Sequence, residues 1–335
     1  MKNQTLFLLA CLLCLPRLGA QERLDARELL QAAHDVSGLT KLMPYKLHAV
    51  VIVNPGSAAE KKGEVTIYRD KERLRTELHI EDYRETKITL GNKLYVARST
   101  PWPAPGLSRL AETDHIWDRL ADDGDSKLSG VSHKKVQNVQ AECFEVKGQQ
   151  HHRLCFDPQK RVLLESLDQE KALEFSEYSA IESLLVPHKV TELLELPMKE
   201  LPVLVMQDIE VQPSVFMPNV FAIPEHSQEF ETCANMLPAK AQQTPRPDFG
   251  ANVVRRNMAA ERVNVYGIVE KDGSLQKIKV LSADADVQQA VLEALKKWRY
   301  SPAMCGTAPV ATEQEIPIPF TDAAVPGQDS RAGRR

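Results

Sequence analysis

The chain has 335 residues, enough for two domains, and its 43% hydrophobic and 26% charged residues exclude bulk disorder. A formal net charge of −4 and an aromatic content of 6% lack the basic footprint and stacking platforms of typical nucleic-acid-binding proteins. We therefore predict no nucleic-acid partner.

The first twenty residues have the form of a secretory signal peptide. Lys2 gives a positive start, Leu6 to Leu15 is an apolar run, and we expect cleavage after Ala20. About ten apolar residues are too few to cross a hydrocarbon core about 30 Å thick as a helix. The alternative, a lipid anchor at Cys11, is disfavoured because the apolar run before that cysteine is short. The mature chain is expected to be periplasmic and to carry no transmembrane anchor.

Asp25 to Val36 has the pattern of a short amphipathic helix, with an Asp-x-x-Glu start and Gly38 as its stop. Beyond it the hydrophobic period changes from 3.6 residues to two. Alternating segments follow at about ten-residue spacing as far as Tyr178, with turn signals between them. They predict a curled, half-barrel-like antiparallel sheet for an N-terminal domain over residues 21–225, whose strands each bury one face.

An irregular insert rich in proline and glycine follows the first strands. Trp102 and Trp117 lie in it, and two roles are open for them: a lid over the mouth of the curled sheet, or packing of a long loop on its edge. The acidic run from Asp118 to Asp125 lacks the spacing of a calcium loop. It predicts a solvated turn and no metal.

Four cysteines remain after signal cleavage, and in an oxidising compartment they predict two disulfides. Cys143 and Cys155 flank a predicted hairpin and are expected to pair across it, although a zinc site with His151 and His152 is an alternative. Cys233 and Cys305 are expected to form the second disulfide, which would tie a connector to the C-terminal unit. The alternative is a reactive thiol at Cys305.

The segment after the sheet is divided by its prolines. Apolar runs at Leu201–Gln212 and Val215–Ile223 predict that strands continue to about residue 223. We predict an extended connector over residues 226–258. A C-terminal domain is predicted over residues 259–321 and a disordered tail over residues 322–335.

The C-terminal domain has the clearest pattern. Val263, Val265, Gly267 and Val269 alternate, and Asp272-Gly273 predicts a two-residue hairpin turn before the returning strand. A helix follows, for which Asp286 is the predicted N-cap and Trp298 the last core residue. Ile316, Ile318 and Phe320 alternate in a final strand. The predicted order is strand, strand, helix, strand, so the class of the whole protein is α+β.

This stretch resembles the C-terminal domain of the TonB family of energy transducers. The matching motif positions are Gly267, Asp272, Gly273, Trp298, Arg299, Tyr300, Pro302, Ala303, Gly306 and Phe320. The resemblance implies a periplasmic ββαβ interaction module of the kind that contacts outer-membrane transporters. It also implies capture of a transporter peptide by strand addition, which Pro317 and Pro319 oppose by removing two backbone donors from one edge of the last strand.

The N-terminal strands resemble, at the level of fold, the LolA/LolB lipoprotein carriers. The segments behind this resemblance are Leu47–Val53, Gly63–Asp70 and Gly91–Ala97. It implies an apolar concavity for a lipid or lipoprotein ligand. Since the chain has no G-x-S-x-G, H-E-x-x-H or phosphate-binding glycine loop, we predict no enzymatic activity and no cofactor. Two functions are therefore predicted: an envelope adaptor for a protein partner or, alternatively, a periplasmic carrier.

Overall fold

A computed structural model of the protein describes residues 24–103, 127–147, 152–168, 171–196, 199–233, 236–249, 262–281 and 284–319. The predicted α+β class is confirmed, because antiparallel strands dominate and the described residues include two short α-helices. The predicted signal peptide, Trp117, His151, Phe320 and the predicted tail lie outside the described residues. No described helix has the length and apolar character needed to span a bilayer.

A large curled antiparallel sheet of fourteen described strands, which does not close into a barrel, forms the N-terminal domain. Its strands are β1 Tyr45–Val53, β2 Lys61–Arg69, β3 Arg73–Ile80, β4 Tyr83–Leu90, β5 Lys93–Arg98, β6 Lys127–Leu128, β7 Ser132–Val136, β8 Val139–Lys147, β9 Arg153–Phe156, β10 Leu163–Asp168, β11 Lys171–Ile181, β12 Leu184–Leu196, β13 Lys199–Pro213 and β14 Gln228–Glu231. The order is β14-β5-β4-β3-β2-β1-β13-β12-β11-β10-β9-β8-β6, and β7 pairs with β8. Two meanders are therefore joined where β1 pairs with β13.

The first helix, α1 (Ala26–Ser37), begins with the predicted capping box. Asp25 Oδ1 accepts hydrogen bonds from the backbone N–H groups of Arg27 and Glu28, and Glu28 Oε2 accepts one from Asp25 N, all at 2.9 Å. These bonds satisfy donors that the helix leaves unpaired at its start. The apolar side of α1 then packs into the main core.

The side of the large sheet that carries α1 is called the inner face below. Its buried core joins Leu29 and Leu30 of α1 to alternate residues of the strands. The predicted alternation in β1 is confirmed, since Leu47, Ala49 and Val51 are buried.

The prediction that strands continue to residue 223 is wrong. Strand β13 ends at Pro213, and the next regular element is a single 3-10 turn, Pro218–Phe221. Val215 is 97% exposed, whereas the ring of Phe216 packs edge-on against Tyr68 on the sheet. Pro218 lies within this apolar run and begins the 3-10 turn, and its missing N–H leaves a gap in any strand ladder that the run could form.

The predicted disulfide across the β8–β9 hairpin is confirmed. Cys143 lies directly opposite Cys155 in the register of the two strands, and the sulfurs are bonded. Because the two sulfurs are bonded to each other, neither is available as a zinc ligand.

The C-terminal module, residues 236–319 as described, contains the predicted strand, strand, helix and strand, and it adds short strands before them and between the helix and the last strand. Its elements are β15 Met236–Leu237, β16 Lys240–Gln243, β17 Arg262–Val269, β18 Leu275–Val280, α2 Ala285–Leu295, β19 Arg299–Ser301, β20 Ala303–Cys305, β21 Ala308–Val310 and β22 Thr312–Pro319. Its main sheet has the order β18-β17-β22. The predicted N-cap Asp286 is wrong, because the Asp284 carbonyl already accepts the backbone N–H of Gln288 and the helix begins at Ala285.

The predicted connector contains regular structure. Strand β14 belongs to the large sheet, while β15 pairs with β20 and β16 pairs with β19 in the module. The second predicted disulfide, Cys233–Cys305, is confirmed. The chain therefore passes from one domain to the other close to this bond.

Candidate interaction site

One face of the module's main sheet packs on α2. The alternating residues Val263, Val265 and Val269 are buried with Val287 and Val291 of the helix. This confirms the predicted valine alternation and the predicted apolar side of the helix. Trp298 closes the same core, as predicted, and its Nε1 donates to the carbonyl of Pro245 at 2.9 Å.

The motif residues of the module serve its architecture. At the hairpin turn Gly273 has φ +79°, and a Cβ there would lie 2.0 Å from the carbonyl oxygen of Tyr300, so only glycine fits. Asp272 accepts a hydrogen bond from Ser274 N at 2.8 Å, and Arg299 donates to the carbonyl of Trp298 at 2.7 Å. Burial of Tyr300 raises the pKa of its hydroxyl.

The remaining motif positions have the same structural character. A Cβ at Gly267 would lie 2.7 Å from Leu275 Cδ1, and Gly306 has φ +63° in a turn. Pro302 lies between β19 and β20, and Ala303 is fully buried. Among the described residues, the motif therefore shapes the module and does not gather into a catalytic or metal-binding cluster.

The second face of the module's sheet packs on the N-terminal domain. Tyr266 and Ile268 of β17 are buried against Val96 of β5 and Phe230 of β14. We call this contact the domain junction. Because both faces of the three-stranded sheet are covered, neither is free to receive a partner.

The junction occupies the inner face of the large sheet. Leu78, a member of the main core, lies opposite Glu85, and Glu85 lies opposite Arg98. Directly opposed residues of antiparallel strands share one face. The module and α1 therefore cover different parts of the same face.

Trp102 lies at the domain junction. It packs against the junction core, and the Lys279 ammonium stands 4.6 Å from its ring centroid, a cation–π contact between the domains. The lid role predicted for Trp102 stays a prediction.

A buried ion cluster, which sequence reasoning missed, crosses the junction. The Arg98 side chain, 5% exposed, places Nη1 and Nη2 at 2.6 and 2.7 Å from the two carboxylate oxygens of Glu313 in β22. Arg98 Nε also donates to Glu85, whose other oxygen lies 3.2 Å from Lys87 Nζ. The Tyr266 hydroxyl donates to Glu313 at 2.7 Å. We call Arg98, Glu85, Lys87 and Glu313 the Arg98 cluster.

The electrostatics of the Arg98 cluster follow from burial and opposite charge. Burial raises the pKa of Glu85, but the charges of Lys87 and Arg98, with hydrogen bonds from Arg98 and Tyr83, outweigh it and lower the pKa below its ordinary value. Burial alone would lower the pKa of Arg98, and the carboxylates of Glu313 and Glu85 raise it instead. Glu85 and Arg98 are therefore held in their charged forms at neutral pH.

This arrangement predicts acid sensitivity. Since the folded pKa of Glu85 is lowered, the stability it contributes is full above its unfolded value of 4.5 and is lost as the pH falls through the folded value. We expect the difference in unfolding free energy between the wild type and Glu85→Gln to shrink as the pH is lowered from about 6 to about 3. Urea unfolding at several pH values measures this difference. A difference that stays constant or grows on acidification would contradict the prediction.

The edges of the module's sheet are both interrupted. Strand β22 pairs with β17 along its whole length, so the N–H-less Pro317 and Pro319 lie on the outward edge, which supports the expectation that this edge cannot carry a full ladder. At the opposite edge of the sheet, strand β18 has a β-bulge opposite Gly267, and Lys277 in this bulge has φ 49°. Bulges and lysines hinder strand addition at an edge.

A shallow groove remains open beside α2. It has a volume of about 390 Å³ and lies between β18 and the outer side of the helix. Ile278 and Leu292 give it an apolar floor, and Gln288, Glu293 and Lys296 line its rim. An apolar floor with a polar rim is the arrangement found at protein–protein contacts.

The C-terminal module is similar in sequence to a known protein family. The family model described as Gram-negative bacterial TonB protein C-terminal matches residues 246–321. The resemblance of this segment to the TonB family is thereby confirmed. No curated protein sequence matches the chain.

Solved structures similar to this chain include three proteins. A LolA superfamily protein from Nitrosomonas europaea is 13% identical, with a TM-score of 0.42, over 60% of this chain and 98% of that one. A putative outer membrane lipoprotein-sorting protein domain from Vibrio parahaemolyticus is 10% identical, with a TM-score of 0.40, over 58% and 94%. A DUF1329 family protein from Desulfovibrio piger is 12% identical, with a TM-score of 0.39, over 58% and 95%.

Proposed function

We propose that the protein is a periplasmic envelope adaptor linked to transport across the outer membrane, and that its C-terminal module binds a protein partner. The observation that carries the proposal is the TonB family match over residues 246–321. The proposal assigns the chain no catalysis and no cofactor.

We assign the partner to the groove beside α2 because the other surfaces of the module's sheet are covered or interrupted. The two faces of the module's sheet are occupied by α2 and by the N-terminal domain, and both sheet edges are interrupted. The groove at Ile278 and Leu292 combines apolar surface with exposure to solvent. Contact through helix side chains then replaces strand addition.

The test uses the full chain as bait for detergent-solubilised outer-membrane transporters, identified by mass spectrometry. Leu292→Glu should lower transporter recovery at least about tenfold, because a buried unpaired carboxylate opposes contact with an apolar partner. Val215→Glu is the matched control, since Val215 is 97% exposed and far from the groove in sequence. Transporter recovery that is no higher than on empty resin, or equal for the two variants, would sink the proposal.

The alternative is a carrier of lipid or lipoprotein. Its ligand site would lie on the inner face, whose apolar core, including Val186, Val190 and Met206, is buried in this structure. The carrier therefore requires α1 to move away from the sheet when lipid binds. Native mass spectrometry of gently purified full chain should then show bound lipid. Spectra that stay free of lipid in repeated preparations would count against the carrier.

A further inference from the structure

The two disulfides of the protein differ in their exposure to solvent. Cys143 and Cys155 have 0% exposure and lie between paired strands. Cys233 and Cys305 are both partly exposed. A reductant in solution therefore reaches the second bond, which we call the connector disulfide, more easily than the first.

The connector disulfide joins two points that belong to different parts of the fold. Cys233 is two residues beyond the end of β14, the last strand of the large sheet, and Cys305 ends β20 of the module. Next to the bond, Met236 of β15 lies opposite Cys305. The bond thus holds the start of the connector against the module.

Without this bond the connector has few buried contacts near its start. Strand β15 has two residues, with Leu237 62% exposed, and all four residues of β16 are exposed. Short exposed strand pairs of this kind are marginally stable in water. Further along, the Pro245 carbonyl accepts from Trp298 Nε1 at 2.9 Å, and Phe249 is buried in the module core.

We propose that the connector disulfide is a redox-controlled link that keeps the connector folded on the module and releases it as a free loop when reduced. A thiolate of a dithiol reductant attacks one sulfur and displaces the other, forming a mixed disulfide. The second thiol of the reductant then displaces the cysteine sulfur. Two electrons and two protons pass to the protein, which gains two thiols, and the reductant leaves as a disulfide.

The consequence is a longer free loop between the two domains. In the oxidised protein the connector is fastened to the module within two residues of β14. Once released, the stretch from residue 232 to 244, about 13 residues, has a contour length of about 45 Å. Pro245 and Phe249 stay bound in the module. Because the Arg98 cluster still closes the domain junction, reduction frees the connector as a loop and leaves the two domains in contact.

The experiment follows the connector by proteolysis and the module by hydrogen exchange. Lys240 is exposed in β16 and is a trypsin site. With a limiting concentration of dithiothreitol, alkylation should mark Cys233 and Cys305 before Cys143 and Cys155. Cleavage after Lys240 should then accelerate at least about tenfold, since local release of a marginal strand pair exposes it. Amide exchange in α2 should stay unchanged.

A double variant, Cys233→Ser with Cys305→Ser, should show the same fast cleavage without reductant. Three outcomes overturn the proposal: cleavage at Lys240 that does not change in either case, alkylation of the buried pair first, or α2 exchange that rises together with cleavage. The last would make the bond a staple of the whole module.

Discussion

Replacing Arg98 with methionine is expected to lower the free energy of unfolding by about 3–5 kcal/mol, the range for breaking a buried ion pair. The substitution leaves the carboxylates of Glu85 and Glu313 facing each other across the domain junction without their shared cation. Urea unfolding measures the loss. Hydrogen exchange should show that amides of β5 and β17 open first.

The matched control is Lys93→Met on the same strand. Lys93 pairs with Glu229 at 2.8 Å, but both side chains are nearly half exposed. Exposed pairs contribute about 0–1 kcal/mol, so this variant should be close to the wild type. If Arg98→Met is no less stable than Lys93→Met, the Arg98 cluster does not hold the domains together.

The second large effect is expected from Trp298→Ala. The indole is buried between α2 and the module's sheet, and its removal leaves a cavity and an unpaired Pro245 carbonyl. Truncation of a buried tryptophan costs about 3–5 kcal/mol. Denaturant unfolding followed by far-UV circular dichroism measures the loss.

Trp298→Phe separates the contribution of apolar packing from that of the hydrogen bond to Pro245. It keeps most of the apolar volume and loses the hydrogen bond to Pro245, so it should cost about 1–2 kcal/mol. A loss for Trp298→Ala below that for Trp298→Phe would show that the indole is not a core residue.

Local patterns predicted much of the fold. The capping box of α1, the valine alternation of β17 and the pairing of the four cysteines were predicted from residues close in sequence or from composition. The apolar run 215–223 has the composition of a strand but not its backbone donors, because Pro218 lies within it. Propensity decides little when backbone donors are missing.

The domain junction was missed for a different reason. Arg98 and Glu313 are separated by more than two hundred residues, and a single arginine or glutamate carries no sign of its partner. One signal was present: Tyr266 and Ile268 fill the second face of a strand whose first face is already apolar. A strand apolar on both faces predicts burial on both sides.

The position of the module has a consequence for fragments of this protein. A chain ending before β17 would lack Tyr266 and Ile268, and so would leave Val96 and Phe230 bare beside the short end strand β14. Apolar side chains next to an unprotected strand end favour self-association. We expect such a fragment to self-associate. The solubility of the large sheet therefore depends on the C-terminal module, which follows it in the sequence.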